Sequence, residues 1–448
     1  MENKFNLRRI FGNSMWQISE KILTMMLSVI TTSVIARYLG TEEYGFVNYI
    51  ISIVMLFTAF STLGMEKITI NDIVNEEYNR STILGTSLIV RLLGGVVLMI
   101  ISQITIFVLT DGDKISQIIG IIVSASMIFK AFEVIEYYLQ AKMKLKVVSI
   151  IRFSVAILIA IIKILIVFLD FGVVGFSFTY FIDALIVAVL LYIYYKINNS
   201  DKLKFNKEYA KKLLKRCWYM AIAGLMTTIY MRIDQIMLGG MCIDKSENGI
   251  YSAAIRIAEM WYFVPLAIIA SFQPIIIKDK KENHEENYKR NMQRLYDVVA
   301  IIGIICGIII TLFGDIAVHV LYGSEYGKAS DVLCISVWAG LFATLGSART
   351  VWLIAENKQK YTLVYTAVGC FTNIILNAVL IPSIGAFGAA IATLAAQCIA
   401  NIFALIPFKD TSESSFMMLK DIFKNNTVKE ILKKILIRNK LGQKNNVT

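Results

Sequence analysis

The residues of this sequence with the clearest chemical potential are charged side chains that lie inside long apolar segments. Charged residues within membrane spans are rare, and they mark substrate pathways, ion pathways or paired charges. Three cations, Arg91, Lys163 and Arg232, lie deep in such segments and have no acidic residue three or four positions away. We therefore expect them either to line an aqueous cavity or to form salt bridges with acids on other helices, and the sequence leaves both alternatives open.

Three further cations are candidates for the same cavity, namely Lys130, Arg152 and Arg256. Glu133 follows Lys130, and Glu259 follows Arg256, at the three-residue spacing that allows pairing along one helix. A cavity lined by arginine and lysine would suit an anionic substrate, because arginine binds phosphate or carboxylate through two parallel hydrogen bonds and lysine attracts it as a point charge.

Two acids, Asp183 and Asp234, also lie deep within apolar segments. Each could pair with one of the cations or serve as a proton or sodium site coupled to transport, and nothing in the sequence decides between these roles. Nucleotide-binding, serine-hydrolase and zinc-protease motifs are absent, and the cysteines and histidines form no metal-binding set. The sequence therefore predicts a protein that is not an enzyme and has no catalytic residue, metal or cofactor, apart from coupling to H+ or Na+.

The segments that carry these charges predict an all-α polytopic membrane protein. Of the 448 residues, 57% are hydrophobic and 17% are charged, and the mean hydropathy is +0.64. A soluble domain has about 45–50% apolar and about 25% charged residues. Apolar runs of about twenty residues, the length that crosses a bilayer, recur from end to end. Twelve transmembrane helices are predicted, at about 14–36, 44–64, 82–109, 115–139, 147–169, 173–195, 217–240, 251–277, 295–320, 332–355, 361–381 and 384–408.

Lysine and arginine are distributed as the positive-inside rule predicts for a chain with both termini in the cytoplasm. The predicted outer loops hold only a few cations, namely Arg37, Lys114, Lys245 and Lys328. The predicted inner loops hold many more, and this asymmetry explains the formal charge of +12 better than binding to nucleic acid does. Arg152 and Arg349 lie near the predicted inner surface, where their side chains could extend to the lipid headgroups.

Glycine-containing patterns recur at matching places in the two halves of the chain. Gly45 and Gly249 stand at the starts of predicted spans 2 and 8. The stretch Phe171–Gly175 lies at the start of span 6 as Ile384–Gly388 lies at the start of span 12. We expect these patterns to reflect an internal repeat, although short glycine turns that recur by chance are the alternative.

The repeat predicts two six-helix lobes, an N-terminal lobe over residues 1–200 and a C-terminal lobe over 201–409. Because each lobe holds an even number of spans, both have the same orientation and should be related by a pseudo-twofold axis along the membrane normal. The cavity would lie between them. Residues 410–448 are predicted to be a basic amphipathic cytoplasmic tail, in which 428–436 has apolar residues at helical spacing among lysines.

Three sets of stretches carry a resemblance to a known family, namely Ile35–Gly40 with Glu43–Gly45, Arg232–Gly239 with Gly249–Ala254, and Asn373–Asn377 with Gly385–Thr393. They resemble Wzx-type polysaccharide flippases of the multidrug/oligosaccharidyl-lipid/polysaccharide exporter superfamily. The resemblance covers nearly the whole chain and implies movement of an undecaprenyl-pyrophosphate-linked oligosaccharide across the bacterial inner membrane, for O-antigen or capsule assembly. It implies membrane lipids, a polysaccharide polymerase and a chain-length regulator as partners. The resemblance does not identify substrate-binding residues in this sequence.

Three other functions stay open on the sequence alone. A cation-coupled multidrug exporter of the same fold would need an acid-rich cavity, and the excess of deep basic residues argues against it. A lipid II flippase usually has fourteen spans, whereas twelve are predicted here. A membrane-embedded scaffold of the assembly machinery would not need cations deep within its spans.

Overall fold

A computed structural model of the chain describes residues 2–62, 64–76, 78–199 and 202–423. These residues are almost entirely helical, without a β-strand among them, so the predicted all-α class is confirmed. The helices are α1 Glu2–Ser61, α2 Met65–Asn75, α3 Arg80–Leu109, α4 Lys114–Lys130, α5 Val134–Ala141, α6 Leu145–Phe168, α7 Gly172–Asn198, α8 Lys207–Met241, α9 Ser246–Ala258, α10 Phe263–Lys281, α11 Glu285–Tyr322, α12 Ala329–Ala355, α13 Tyr361–Cys398 and α14 Ser412–Phe423.

Nine helical segments within the described residues are long and apolar enough to cross a membrane, so the chain is a multi-pass membrane protein. Ser19–Asn75 has 57 residues and Tyr361–Phe403 has 43. Each could cross twice, because one crossing takes about 20 residues. Helix α8, which carries Arg232, is not among the nine. The exact count of twelve spans and the orientation of the termini therefore stay predictions.

Two backbone breaks divide the longest helices at glycines with positive φ. Gly40 in α1 has φ 73°, and Gly385 in α13 has φ 53°, values that glycine adopts without steric cost. A carboxylate meets the first free amide after each break. Glu325 accepts a hydrogen bond from the Thr41 amide at 2.9 Å, and Glu247 accepts one from the Ala386 amide at 2.7 Å. Each carboxylate thus accepts a hydrogen bond from an amide that a helix start leaves unpaired. Its negative charge also interacts favourably with the positive, N-terminal end of the helix dipole.

The described helices form two compact units. The first contains Met1–Met260, Asp315–Val332 and Ile374–Ala389, and the second contains Trp261–Gly314, Leu333–Asn373 and the described part of the chain from Ala390 onward. This grouping follows packing and does not test the predicted lobes over 1–200 and 201–409, which stay a prediction. In the tail, α14 belongs to the second unit, whereas the predicted amphipathic stretch 428–436 lies outside the described residues.

In the first unit, α1 and α9 approach so closely that only glycine fits at their crossing. A Cβ atom at Gly249 would collide with the carbonyl oxygen of Thr41, and one at Gly45 would collide with the carbonyl oxygen of Lys245. The Asn248 side-chain amide donates a hydrogen bond to the Gly45 carbonyl at 2.8 Å. The two glycines that the sequence pattern places at equivalent positions therefore pack against each other.

In the second unit, Arg349 is 0% exposed, so the expectation that it extends to the lipid headgroups is wrong. Its guanidinium donates hydrogen bonds to the carbonyls of Asn401 at 2.7 Å and Ala400 at 3.2 Å, and it lies 4.3 Å from the centre of the Tyr365 ring. These carbonyls belong to a π-helical turn, Ile399–Phe403, whose wider backbone spacing leaves them available. Arg349 is held by backbone dipoles and an aromatic face.

The α1–α9 crossing predicts opposite effects for two similar substitutions. Gly249→Ala should destabilise the protein by about 1–3 kcal/mol, because overpacking forces the two backbones apart. Gly224→Ala in α8 should be neutral or stabilising, because its Cβ would meet no atom within 4 Å and alanine is the better helix former. Thermal denaturation of the detergent-solubilised variants measures both effects. If Gly249→Ala had the same melting temperature as wild type, the close approach of α1 and α9 at Gly249 would be contradicted.

Candidate functional site

The first unit contains a cavity of about 460 Å³ between α1, α6, α7, α8 and α9. Its charged lining consists of four cations and two acids, namely Lys21, Lys163, Arg232, Arg256, Asp183 and Glu259. The uncharged lining includes hydroxyl and amide side chains suited to hydrogen bonding. The site is therefore polar with an excess of positive charge, although it lies among helices whose other faces are strongly apolar.

Helix α1 contributes a stripe of mostly uncharged polar side chains to the cavity. Lys21, Thr24, Ser28, Thr31 and Thr32 all line the cavity. Their spacing of three, four, three and one residues places them on one face of a helix, so helical periodicity of the polar residues was the signal that could have found them. Lys21 is therefore an additional candidate for contact with a substrate.

Lys163, on α6, projects into the cavity as predicted. Its ammonium lies 3.4 Å from the Thr32 hydroxyl and 5.8 Å from the centre of the Phe176 ring. No carboxylate of the described chain lies within salt-bridge distance of it. The charge is thus stabilised by a weak hydrogen bond, an aromatic face and the cavity itself.

Arg256, on α9, lines the same cavity and does not form the expected pair with Glu259. Helix α9 ends at Ala258, and a 3-10 turn over Met260–Tyr262 follows, so the two side chains do not continue along one regular helix. Within the part of the chain that the structure describes, the carboxylate and guanidinium do not reach ion-pair distance. Both charges instead face the cavity.

Arg91 does not reach the cavity. It forms a salt bridge with an acid on another helical segment, which is the second of the two alternatives that the sequence left open. It is 2% exposed, its guanidinium lies 2.9 Å from the Glu133 carboxylate, and it donates a hydrogen bond to the Tyr137 hydroxyl at 2.7 Å. Arg152 lies 3.2 Å from Glu133 and 2.9 Å from Glu136. Two arginines and two glutamates thus form a compact network in which the charges cancel.

Lys130 lies beside this network and lines a chamber of about 20 Å³ together with Glu133, Arg152 and Asp183. The 3-10 turn Ala131–Glu133 follows Lys130 directly, and the Glu133 carboxylate points to Arg91 and Arg152 instead of back to Lys130. The six predicted substrate-binding cations therefore divide into two sets. Lys163, Arg232 and Arg256 meet in the main cavity, whereas Arg91, Lys130 and Arg152 surround the glutamates.

The two deep aspartates occupy different environments. Asp183 lines both the main cavity and the small chamber, so it is open to whatever enters either space. Asp234 is 4% exposed and accepts hydrogen bonds of 2.6 Å from the Tyr251 hydroxyl and the Asn377 amide. Asp234 therefore joins α8 to α9 and α13 within the first unit, and of these two acids Asp183 is the one that lines the cavity.

Comparison with known proteins gives the family. A model of the family described as polysaccharide biosynthesis protein matches residues 34–331. The capsular polysaccharide biosynthesis protein CapF of Staphylococcus aureus is 23% identical over 394 residues, which is 85% of this chain and 94% of CapF.

Solved structures give the same fold. The lipid II flippase MurJ in an inward closed conformation aligns with a TM-score of 0.72 at 16% identity, over 98% of this chain and 100% of that chain. An inward-facing multidrug resistance MATE family transporter of the MOP superfamily aligns with a TM-score of 0.71 at 15% identity, over 88% of this chain and 95% of that chain. At such low identity these likenesses show the fold alone, and they agree with the predicted all-helical fold.

The division of the cations into two sets predicts different changes in stability for two substitutions that each remove a positive charge. Arg91→Leu should destabilise the protein by about 3 kcal/mol, because it breaks a buried ion pair. Lys163→Gln should leave stability unchanged or slightly higher, because residues poised for binding are rarely optimal for folding. Thermal denaturation in detergent compares the two. A normally stable Arg91→Leu protein that had lost transport would contradict the structural role given to Arg91.

Proposed function

Because this chain belongs to the polysaccharide biosynthesis protein family, we propose that it moves a lipid-linked oligosaccharide from one leaflet of the membrane to the other. The name of CapF as a capsular polysaccharide biosynthesis protein supports a glycan substrate. The description of MurJ as a lipid II flippase supports a lipid-linked one. Polysaccharide assembly needs such a step, since a glycan headgroup does not cross an apolar bilayer unaided.

One observation carries the proposal, namely the excess positive charge of the main cavity. Lys163 and Arg256 lie there without a carboxylate at salt-bridge distance in the described chain. A buried cation without a partner is costly, so its position in a polar cavity calls for an anion that completes the site. A pyrophosphate has the charge and the oxygen acceptors that arginine and lysine bind best.

We assign the substrate to the polyprenyl-pyrophosphate class, with undecaprenyl pyrophosphate as the carrier in a bacterial inner membrane. In this proposal both termini lie in the cytoplasm. Capsular polysaccharide is the favoured product because the relative that aligns over most of the chain is a capsular protein, and O-antigen is the alternative product. A polysaccharide polymerase and a chain-length regulator would act on the unit after it has crossed.

The chemistry of the proposed step is binding and release, with no covalent change. The cations would hold the pyrophosphate, while Asn48 and the α1 hydroxyls would offer hydrogen bonds to the sugars. Alternating access would then expose the cavity to each side in turn. Asp183 is the proposed coupling site for H+ or Na+, because it is an acid that lines the cavity.

The proposal is tested in proteoliposomes that contain an undecaprenyl-pyrophosphate-linked oligosaccharide in one leaflet. A membrane-impermeant sugar-cleaving enzyme reports the arrival of the glycan in the other leaflet. Arg256→Gln and Lys163→Gln should each slow arrival by about tenfold or more, since hydrogen bonds to charged groups contribute about 1.5–3 kcal/mol. Lys114→Gln, an exposed cation outside the cavity, is the matched control and should transport normally.

The same vesicles separate the proposal from its alternatives. Export of a cationic dye without glycan movement would identify a multidrug exporter. Glycan arrival at the wild-type rate in both cavity variants would contradict the cationic site while leaving flipping intact.

A further inference from the structure

We propose that Gln235 is a positioning residue for the anion site, holding the Arg232 guanidinium toward the cavity without cancelling its charge. This inference rests on the proposed function, because it deepens the role of the same cavity. Gln235 lines the cavity beside Arg232, although its side chain is only 6% exposed. Because it is uncharged, Gln235 is not among the charged residues that mark the spans in the sequence.

The contact between the two side chains follows from their spacing on α8. Residues three positions apart lie on one face of a helix, and Gln235 Oε1 accepts a hydrogen bond from Arg232 Nη1 at 3.3 Å. A free arginine side chain has many rotamers, whose loss on binding an anion would weaken the affinity. A fixed acceptor at one nitrogen reduces that loss and leaves the other donors of the guanidinium available.

Two serines fix the Gln235 amide in turn. The Ser52 hydroxyl of α1 donates to Gln235 Oε1 at 2.5 Å, and Gln235 Nε2 donates to the Ser252 hydroxyl of α9 at 3.0 Å. The amide therefore joins three helices that line the cavity. Its orientation is also determined chemically, because a flipped amide would turn its NH2 group toward a guanidinium that cannot accept a hydrogen bond.

The neighbouring residue fixes the rotation of α8 about its axis. Asp234 points away from the cavity and is anchored by Tyr251 and Asn377, both at 2.6 Å. With Asp234 tied to α9 and α13, the adjoining face of α8, which carries Arg232 and Gln235, is held toward the cavity. Asp234 is therefore part of the support of the site.

An amide is the side chain that this position needs. A carboxylate would also accept the hydrogen bond from Arg232, but it would form an ion pair and reduce the attraction for phosphate. A hydrocarbon would leave the guanidinium without its acceptor. Glutamine accepts the bond and keeps the positive charge available for a ligand.

The first test is a double-mutant cycle on binding of inorganic pyrophosphate, measured by titration calorimetry on the purified full-length protein in lipid nanodiscs. Gln235→Leu should weaken binding by about tenfold, the size expected for a hydrogen bond to a charged group. The same substitution in an Arg232→Gln background should change binding by less than about twofold, because Gln235 acts through Arg232. Gln103→Leu is the matched control, since Gln103 pairs with Gln117 away from the cavity.

The second test is the pH dependence of Gln235→Glu, which has nearly the same shape as wild type. Above the pKa of the introduced carboxyl, the carboxylate pairs with Arg232, and pyrophosphate binding should fall by about tenfold or more. Below that pKa the carboxyl is neutral and acts as the amide does, so binding should recover relative to wild type at the same pH. A merely structural role would give a loss that does not depend on pH.

The outcomes separate this inference from the proposed function. Wild-type affinity in Gln235→Leu would overturn the positioning role and leave the anion site intact. Failure of wild-type protein to bind pyrophosphate would overturn both. If Gln235→Leu does not fold, which its melting curve would show, Gln235→Glu and Ser252→Ala carry the test. Ser252→Ala removes one anchor and should weaken binding severalfold.

Discussion

The structure depends on one constraint, the cost of placing a charged side chain in the low-dielectric interior of a membrane protein. Each such charge needs an opposite charge, a set of hydrogen bonds or water. Arg91 and Arg152 meet the need with Glu133 and Glu136. Arg349 meets it with the carbonyls of a π-helical turn. Lys163 and Arg256 have neither solution and lie on a cavity, so their charge remains available to a ligand.

The positions of the cavity residues depend on contacts between helix ends in the first unit. Glu325 and Glu247 satisfy the amides that follow the breaks at Gly40 and Gly385, and α1 crosses α9 at a pair of glycines. Such contacts restrict how α1 and α9 are rotated about their own axes. Rotation decides which side chains reach the cavity, and in this way the glycines and glutamates at the helix ends determine the chemistry of the site.

Much of the fold follows from the sequence because hydrophobicity and glycine act locally. Apolar runs of membrane length form helices, and the backbone breaks lie at Gly40, between predicted spans 1 and 2, and at Gly385, at the predicted start of span 12. Three of the predicted cations, Lys163, Arg232 and Arg256, share the cavity. Lys163 and Arg232 lie deep in their predicted spans, and depth within a span can be read from the sequence.

Hydropathy does not show how each helix is rotated about its axis. The pairing of the charges and the set of side chains that reach the cavity both depend on that rotation. Arg91 and Glu133 are 42 residues apart, and only the packing of their helices brings them together. The role of Gln235 also depends on helix rotation, because Ser52 of α1 and Ser252 of α9 hold its amide. Lys21 can be predicted from the sequence as a lining residue, because the threonines and serine that follow it repeat at helical spacing.

The most direct test of the cationic site is a cryo-electron microscopy structure of the protein in nanodiscs with its lipid-linked oligosaccharide bound. We expect density for the pyrophosphate in the main cavity, with phosphate oxygens about 2.7–2.9 Å from nitrogens of Lys163, Arg232 or Arg256, the distance of charge-assisted hydrogen bonds. Pyrophosphate density at the arginine–glutamate network around Arg91, or a main cavity without the headgroup, would contradict that site.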